Sequence, residues 1–161
     1  MAQNKPDEVL NKLKEALAKN PTSVEINYVL GNKYDTYLKD TTNALKYYIA
    51  ALKLRPEYFD ALYSTGAMFY NQAVIINEQM NKLPFNAEGQ KKYDQLQIAR
   101  DKLFKRALAF FENAYQIDPN DRDSNLALKE IYTRLNLNDK LSALKQGTKL
   151  SSVETIWDLK K

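Results

Sequence analysis

The side chains of this sequence able to do chemistry are carboxylates, amines and phenols: 20 Asp+Glu, 24 Lys+Arg and 11 Tyr, with His and Cys both at zero. Without imidazole or thiol there is no Cys/His zinc site, no nucleophile activated by a histidine and no disulfide. Acid–base work would then fall to paired carboxylates, for which Asp7 with Glu8 and Asp121 with Asp123 are the candidates. Each pair sits in the first turn of an expected helix, where an acid complements the positive end of the helix dipole. The chain has four glycines and no Gly-rich phosphate loop. It reads as no enzyme, with neither a metal site nor a cofactor.

The amines are unevenly spread. Residues 90–106 hold Lys91, Lys92, Arg100, Lys102, Lys105 and Arg106 against Asp94 and Asp101, so this stretch alone accounts for the chain's net charge of +4. Such a basic stretch suggests nucleic acid. Its cations, however, spread over several faces of one helix and carry no interleaved base-stacking platform. Nucleic-acid binding through this helix is the lesser alternative.

The elements that must position these groups are helices. A chain of 161 residues, 44% apolar, is long enough for one domain. Runs rich in Ala, Leu, Lys, Glu and Gln, with no sustained Val/Ile/Thr alternation, predict an all-α fold. Two stretches share one grammar, Ala44-x3-Tyr48-x2-Ala51-x4-Pro56 and Ala107-x3-Phe111-x2-Ala114-x4-Pro119. Upstream of them lie Leu30-Gly31-x2-Tyr34 and Thr65-Gly66-x2-Phe69. Small residues on one stripe let two helix axes approach, a ring fills the space between them, and proline follows the last turn.

Boundaries follow from caps and prolines. A first helix is expected over Pro6–Lys19, ended by Asn20-Pro21. Thr22-Ser23-Val24-Glu25 reads as a capping box led by Thr22, opening a helix to about Leu38. Asp40 or Thr41 caps the next helix, which stops before Pro56. Ser151-x2-Glu154 caps a short final helix holding Trp157.

The segment between Gly66 and Ala107 reads as two long helices. Leu62, Gly66, Phe69, Ala73, Ile76, Met80 and Leu83 alternate by four and three. Tyr93, Leu96, Arg100, Leu103, Ala107, Phe110, Ala114 and Ile117 do the same. The two seams predict an antiparallel hairpin turning at residues 84–89, its second helix running from about Ala87 to Ile117. Arg100 interrupts the seam and is expected to snorkel or to pair with a carboxylate across it.

On these residues the chain resembles the tetratricopeptide repeat (TPR) family. Residues 24–58 match through Leu30, Gly31, Tyr34, Ala44, Tyr48, Ala51 and Pro56, after one inserted residue in the turn. Residues 59–121 match at both ends, through Leu62, Gly66, Phe69, Ala107, Phe111, Ala114 and Pro119, as a repeat extended by the hairpin. Residues 122–150 are a worn copy keeping Leu128, Tyr132 and Leu141, with Lys129 and Lys145 at positions usually small and aromatic. Residues 6–23 look like half a repeat, with Val9, Leu13, Ala16 and Pro21 in register, and 151–161 like a capping helix. The resemblance implies a single domain over 1–161, a right-handed α-solenoid of stacked helix pairs.

It also implies a role: a non-catalytic protein–protein interaction module, scaffold or adaptor, gripping a peptide or partner helix in a concave groove lined by the first helix of each pair. The family's groove positions fall here on Glu25, Tyr28, Asn32, Asp35 and Thr36, on Asp60, Tyr63, Ser64, Ala67, Tyr70 and Asn71, and on Asp123, Leu126, Glu130, Thr133 and Arg134. Tyr63, Ala67, Tyr70 and Val74 make a second stripe running onto the hairpin. Tyrosine gives contact area at low rotamer cost, and amides pair with a peptide backbone. Members that hold the C-terminal carboxylate of heat-shock chaperones use a set of Lys, Asn and Arg at the positions of Tyr28, Asn32, Ser64, Asp123 and Ala127; only the Asn is kept and an acidic residue stands where a cation is needed, so that ligand is not expected.

Self-association through the long hairpin is the alternative partner. No apolar run reaches the ~20 residues of a bilayer span, and the first residues lack a signal peptide's apolar core. In style the chain looks like bacterial members of the family, many of them exported, which leaves cytoplasm and periplasm both open.

Overall fold

Capping side chains, prolines and the Ala/ring stripes resolve the described residues into helices joined by short turns. Among the residues described in this computed structural model, 4–148 and 150, there is no strand. The helices are α1 (Asn4–Lys19), α2 (Val24–Lys33), α3 (Thr41–Leu54), α4 (Phe59–Met80), α5 (Ala87–Ile117), α6 (Arg122–Arg134) and α7 (Asn138–Lys145). A π-helical turn, Tyr34–Leu38, continues α2. Contacts sort the chain into two compact units, residues 1–65 and 66–161, with the boundary inside α4. The expected cap at Ser151 and the helix around Trp157 lie outside the described residues.

In the first unit α2 and α3 run antiparallel. The Tyr34 and Tyr47 rings stack with centroids 5.5 Å apart, and Glu25 at the start of α2 pairs with Arg55 after the end of α3. That ion pair is more than half exposed at both ends and adds little stability. The core contact is Gly31 against Tyr48, whose ring is fully buried with Leu30, Ala44, Ala51 and Leu52. The extra residue that the sequence places in the turn is taken up as the wide π turn. Lys39 then adopts the left-handed conformation at φ 53°, and both its N–H and that of Asp40 donate to the Tyr34 carbonyl.

In the second unit the later part of α4 runs antiparallel to α5. Gly66 faces Phe111, the Phe69 and Phe110 rings lie 5.9 Å apart, Tyr70 meets Phe104 at 5.7 Å, and Asn77 reaches Arg100. Helix α5 has 31 residues, about 45 Å at 1.5 Å per residue. The hairpin is pinned at its tip: the Gly89 N–H donates to Asn86 Oδ1 at 2.8 Å, and a Cβ at Gly89 would collide with the Pro84 carbonyl. Helix α6 is capped by Asp121, whose carboxylate accepts from the Ser124 N–H.

Five expectations are corrected. Helix α1 begins at Asn4, before Pro6, because proline needs no N–H bond in a first turn. Its stripe centres on Leu10, while Val9 is 45% exposed. Ser23 rather than Thr22 caps α2, accepting from the Ile26 N–H, while Thr22 turns back to Asn20 and Glu25 reaches Arg55. At the ends of the second seam Tyr93 and Ile117 are 39% and 40% exposed. Arg100 finds its carboxylate beside it, on Asp101 at 2.8 Å, and meets an amide across the seam, Asn77 at 3.3 Å.

Candidate functional site

Tyr28, Asn32 and Asp35 stand at i, i+4 and i+7 along α2 and the π turn, the spacing of one helical face. All three are half-buried. Tyr28 lies between two rings, 5.9 Å from Tyr48 and 5.4 Å edge-on from Tyr58. Beneath them the Tyr48 hydroxyl is fully buried and makes no sound hydrogen bond. Asp35, Asn32 and Ser64 lie near that hydroxyl and act on it electrostatically. Burial raises the Asp35 carboxyl above its ordinary value, with Lys39 opposing. Burial, and then the charge on Asp35, push the Tyr48 phenol well above the usual tyrosine range. Tyr63 stacks on Phe59 at 6.2 Å.

In the second unit three nominated residues come together. The Tyr70 hydroxyl donates to Glu130, Glu130 pairs with Arg134 at 2.8 Å, and the Arg134 guanidinium lies 5.6 Å from the Phe104 ring that Tyr70 also meets. Burial and the bond to Glu130 push the Tyr70 phenol up to about 12. Burial works to raise the Glu130 carboxyl, but bonds from Tyr70 and Arg134 outweigh it and hold the group below its ordinary value. Ala67 and Val74 are half-buried, while Asn71 is exposed. A surface expected to offer bare polar groups thus has several already engaged with one another.

That network sets a pH dependence. A carboxyl depressed on folding stabilises above its unfolded value, 4.5 for Glu130, and the contribution is lost as pH falls below it. In Tyr70→Phe the Glu130 carboxyl moves upward, read by carboxyl 13C titration, and part of the stability lost between pH 5 and pH 3 disappears. An unmoved Glu130 titration would show that Tyr70 does not hold it.

Sequence reasoning missed three features. Glu112, wholly buried, accepts from the Tyr132 hydroxyl at 2.8 Å and from Lys140 at 2.7 Å. The Arg106 guanidinium lies 4.1 Å from the Phe69 ring and is half-buried. With Arg100 buried as well, two of the six nominated cations are drawn inward, and the basic surface is smaller than the charge count implies. The third is the Tyr48 hydroxyl. A signal for it existed, since the ring position carries a phenol at Tyr48 and a plain phenyl at Phe111.

The hairpin tip holds an open cleft of about 840 Å³ lined by residues including Met80, Leu83, Phe85 and Tyr93, with no charged group in its wall. Phe85 itself is fully exposed. Among the described residues no helix is long and apolar enough to cross a membrane, and no three carboxylates gather as a cation site. No protein-family model matches the chain, and no curated protein matches it.

Proposed function

We propose that the chain is a non-catalytic protein–protein interaction module, a scaffold or adaptor. In this reading its helix pairs are of tetratricopeptide type, stacked as a right-handed solenoid, and a peptide or partner helix lies along the first helix of each pair. The observation that carries the reading is the doubled contact of Gly31 on Tyr48 and Gly66 on Phe111, the same glycine-to-ring joint in two successive helix pairs. The half-buried tyrosines along α2 and α4 supply contact area of the type that recognition surfaces use.

Affinity capture from native extract tests it, using the wild-type chain beside Tyr63→Ala/Tyr70→Ala with its helicity checked. The expected result is a protein partner recovered by the wild type and lost by the double variant. Recovery of no partner sensitive to these residues counts against the reading.

A second reading, self-association through the hairpin, is favoured by the exposed Phe85 beside its neutral cleft and by Ile98, 73% exposed on α5. Light scattering over a range of concentrations decides it, since a constant monomer mass removes it.

A further inference from the structure

The charge on the hairpin stem is one-sided. Residues 102–111 hold Lys102, Lys105 and Arg106 and no acid, and residues 66–77 of α4, which run alongside, hold no charged group at all. The acid just before this stretch, Asp101, is taken by Arg100, and the one just after it, Glu112, by Lys140 and Tyr132. Among the described residues none of the three cations has a carboxylate within ion-pair distance.

Arg106 is the most closely held of them. Its guanidinium lies 4.1 Å from the Phe69 ring, with Nε covered and unbonded. The side chain is half-buried, and among the described residues no acceptor pairs with its two terminal nitrogens, which stay open to solvent. Burial lowers its pKa, and no neighbouring charge offsets that. A planar fork already set on a ring gives up little further rotamer freedom on binding, and its terminal nitrogens match the two oxygens of a carboxylate.

Helical spacing supplies the rest of the surface. Ile98, Lys102 and Lys105 stand at i, i+4 and i+7 along one face of α5, and Arg106 is one turn beyond Lys102. Ile98 is 73% exposed, and both lysines are exposed. An aliphatic side chain beside unpaired cations selects the class of partner. A phosphate backbone has no use for it, and bases find no ring to stack on, because Phe69 is 2% exposed. A protein segment with acids around an apolar residue uses both features.

We propose that Arg106, Lys102, Lys105 and Ile98 form a docking surface for an acidic segment of a partner protein. A carboxylate of that segment takes the Arg106 fork, and an apolar side chain covers Ile98. The surface lies on α5, outside the groove positions on α2, α4 and α6, so it goes beyond the groove reading and does not depend on it.

The test is an amide 1H–15N NMR titration of the full chain at physiological salt with three probes. They are a Gly/Ser-flanked Glu-Glu-Leu-Glu peptide, its Gln-Gln-Leu-Gln counterpart, and a short single strand of deoxythymidylate. The acidic peptide shifts the amides from Ile98 to Arg106 and binds about tenfold more tightly than its glutamine counterpart. Arg106→Lys keeps the charge, loses the planar fork and weakens binding about fivefold. Ile98→Ser, at an exposed position, weakens it about threefold. Lys91→Gln/Lys92→Gln changes it by less than about twofold, because those lysines lie about 15 Å away along the helix, beyond the screening length.

Equal binding of the glutamate and glutamine peptides overturns the proposal without any variant, so a misfolded mutant cannot rescue or sink it. An equal loss in Lys91→Gln/Lys92→Gln and in Arg106→Lys also overturns it, since that marks diffuse charge rather than a site. Tighter binding of the deoxythymidylate strand at the same amides overturns it too and assigns the surface to a phosphate backbone. None of these results bears on Tyr63 and Tyr70, whose dependent partner tests the groove separately.

Discussion

Lys140→Met is expected to cost about 3–5 kcal/mol of folding stability, the range for removing one member of a buried ion pair. The Glu112 side chain is 0% exposed on α5, and its Oε1 accepts from Lys140 Nζ at 2.7 Å and from the Tyr132 hydroxyl at 2.8 Å. The lysine is itself 18% exposed, so little solvent screens the pair. With methionine in place of lysine, the carboxylate keeps its burial and loses the Lys140 charge. Relative to a domain stability of roughly 5–15 kcal/mol this is a large loss. It corresponds to a fall of about 10 °C in melting temperature. Glu112→Gln/Lys140→Met removes both charges and is expected to recover a good part of the loss, because breaking a pair costs more than replacing it. Urea denaturation of the two variants measures the difference. A loss under 1 kcal/mol in the single variant would mean that the pair holds nothing together.

Gly31→Ala is the second large effect, a net loss of about 2 kcal/mol. A Cβ at Gly31 would stand 2.5 Å from Cδ1 and 2.8 Å from Cε1 of Tyr48. No real methyl tolerates such contacts. The ring cannot swing away, because it is buried on every side with 0% exposure. Overpacking of this kind costs about 3 kcal/mol, and alanine's better helix propensity returns about 1. Gly66→Ala supplies the contrast. There the Cβ meets Phe111 at 3.1–3.2 Å, a gap that a few tenths of an ångström relieves, so its cost is offset by the ~1 kcal/mol of propensity. Thermal melts of the two variants rank them. Equal melting temperatures would show that the α2–α3 joint is looser than its contacts imply.

Much of the secondary structure was legible because its signals are local. Pro56 and Pro119 lack an N–H and end their helices, Asp40 and Asp121 cap from one residue upstream, and the four-and-three alternation outlined both long helices. Helix α5 spans Ala87–Ile117 as the pattern predicted. Errors arose where two neighbouring residues could serve the same local role. Thr22 and Ser23 are both hydroxyl caps, and only the path of the chain after Asn20 selects Ser23. For Val9 and Leu10 the choice depends on the rotation of α1 about its axis, which a short apolar pattern does not fix.

The candidate site was legible only as a set of positions. The repeat grammar nominated Tyr70, Glu130 and Arg134 together across sixty residues of chain, and they do meet. It could not say that Tyr70 and Arg134 would satisfy Glu130 themselves. It also marked Tyr48 as a core ring and was silent about the fate of its hydroxyl.

Among the described residues, then, the sequence by itself determined which stretches are helical, where those helices stop and, in the longer helices, which stripe is apolar. Those outcomes depend on backbone bonds and side chains within a turn or two. Tertiary structure alone decided which polar atoms find partners. Lys140 reaches Glu112 from 28 residues away, Arg100 turns to its neighbour Asp101, and the Tyr48 oxygen is left with none. A hydrogen bond is won or lost within a few tenths of an ångström and a few tens of degrees. That precision exists only once helices have packed.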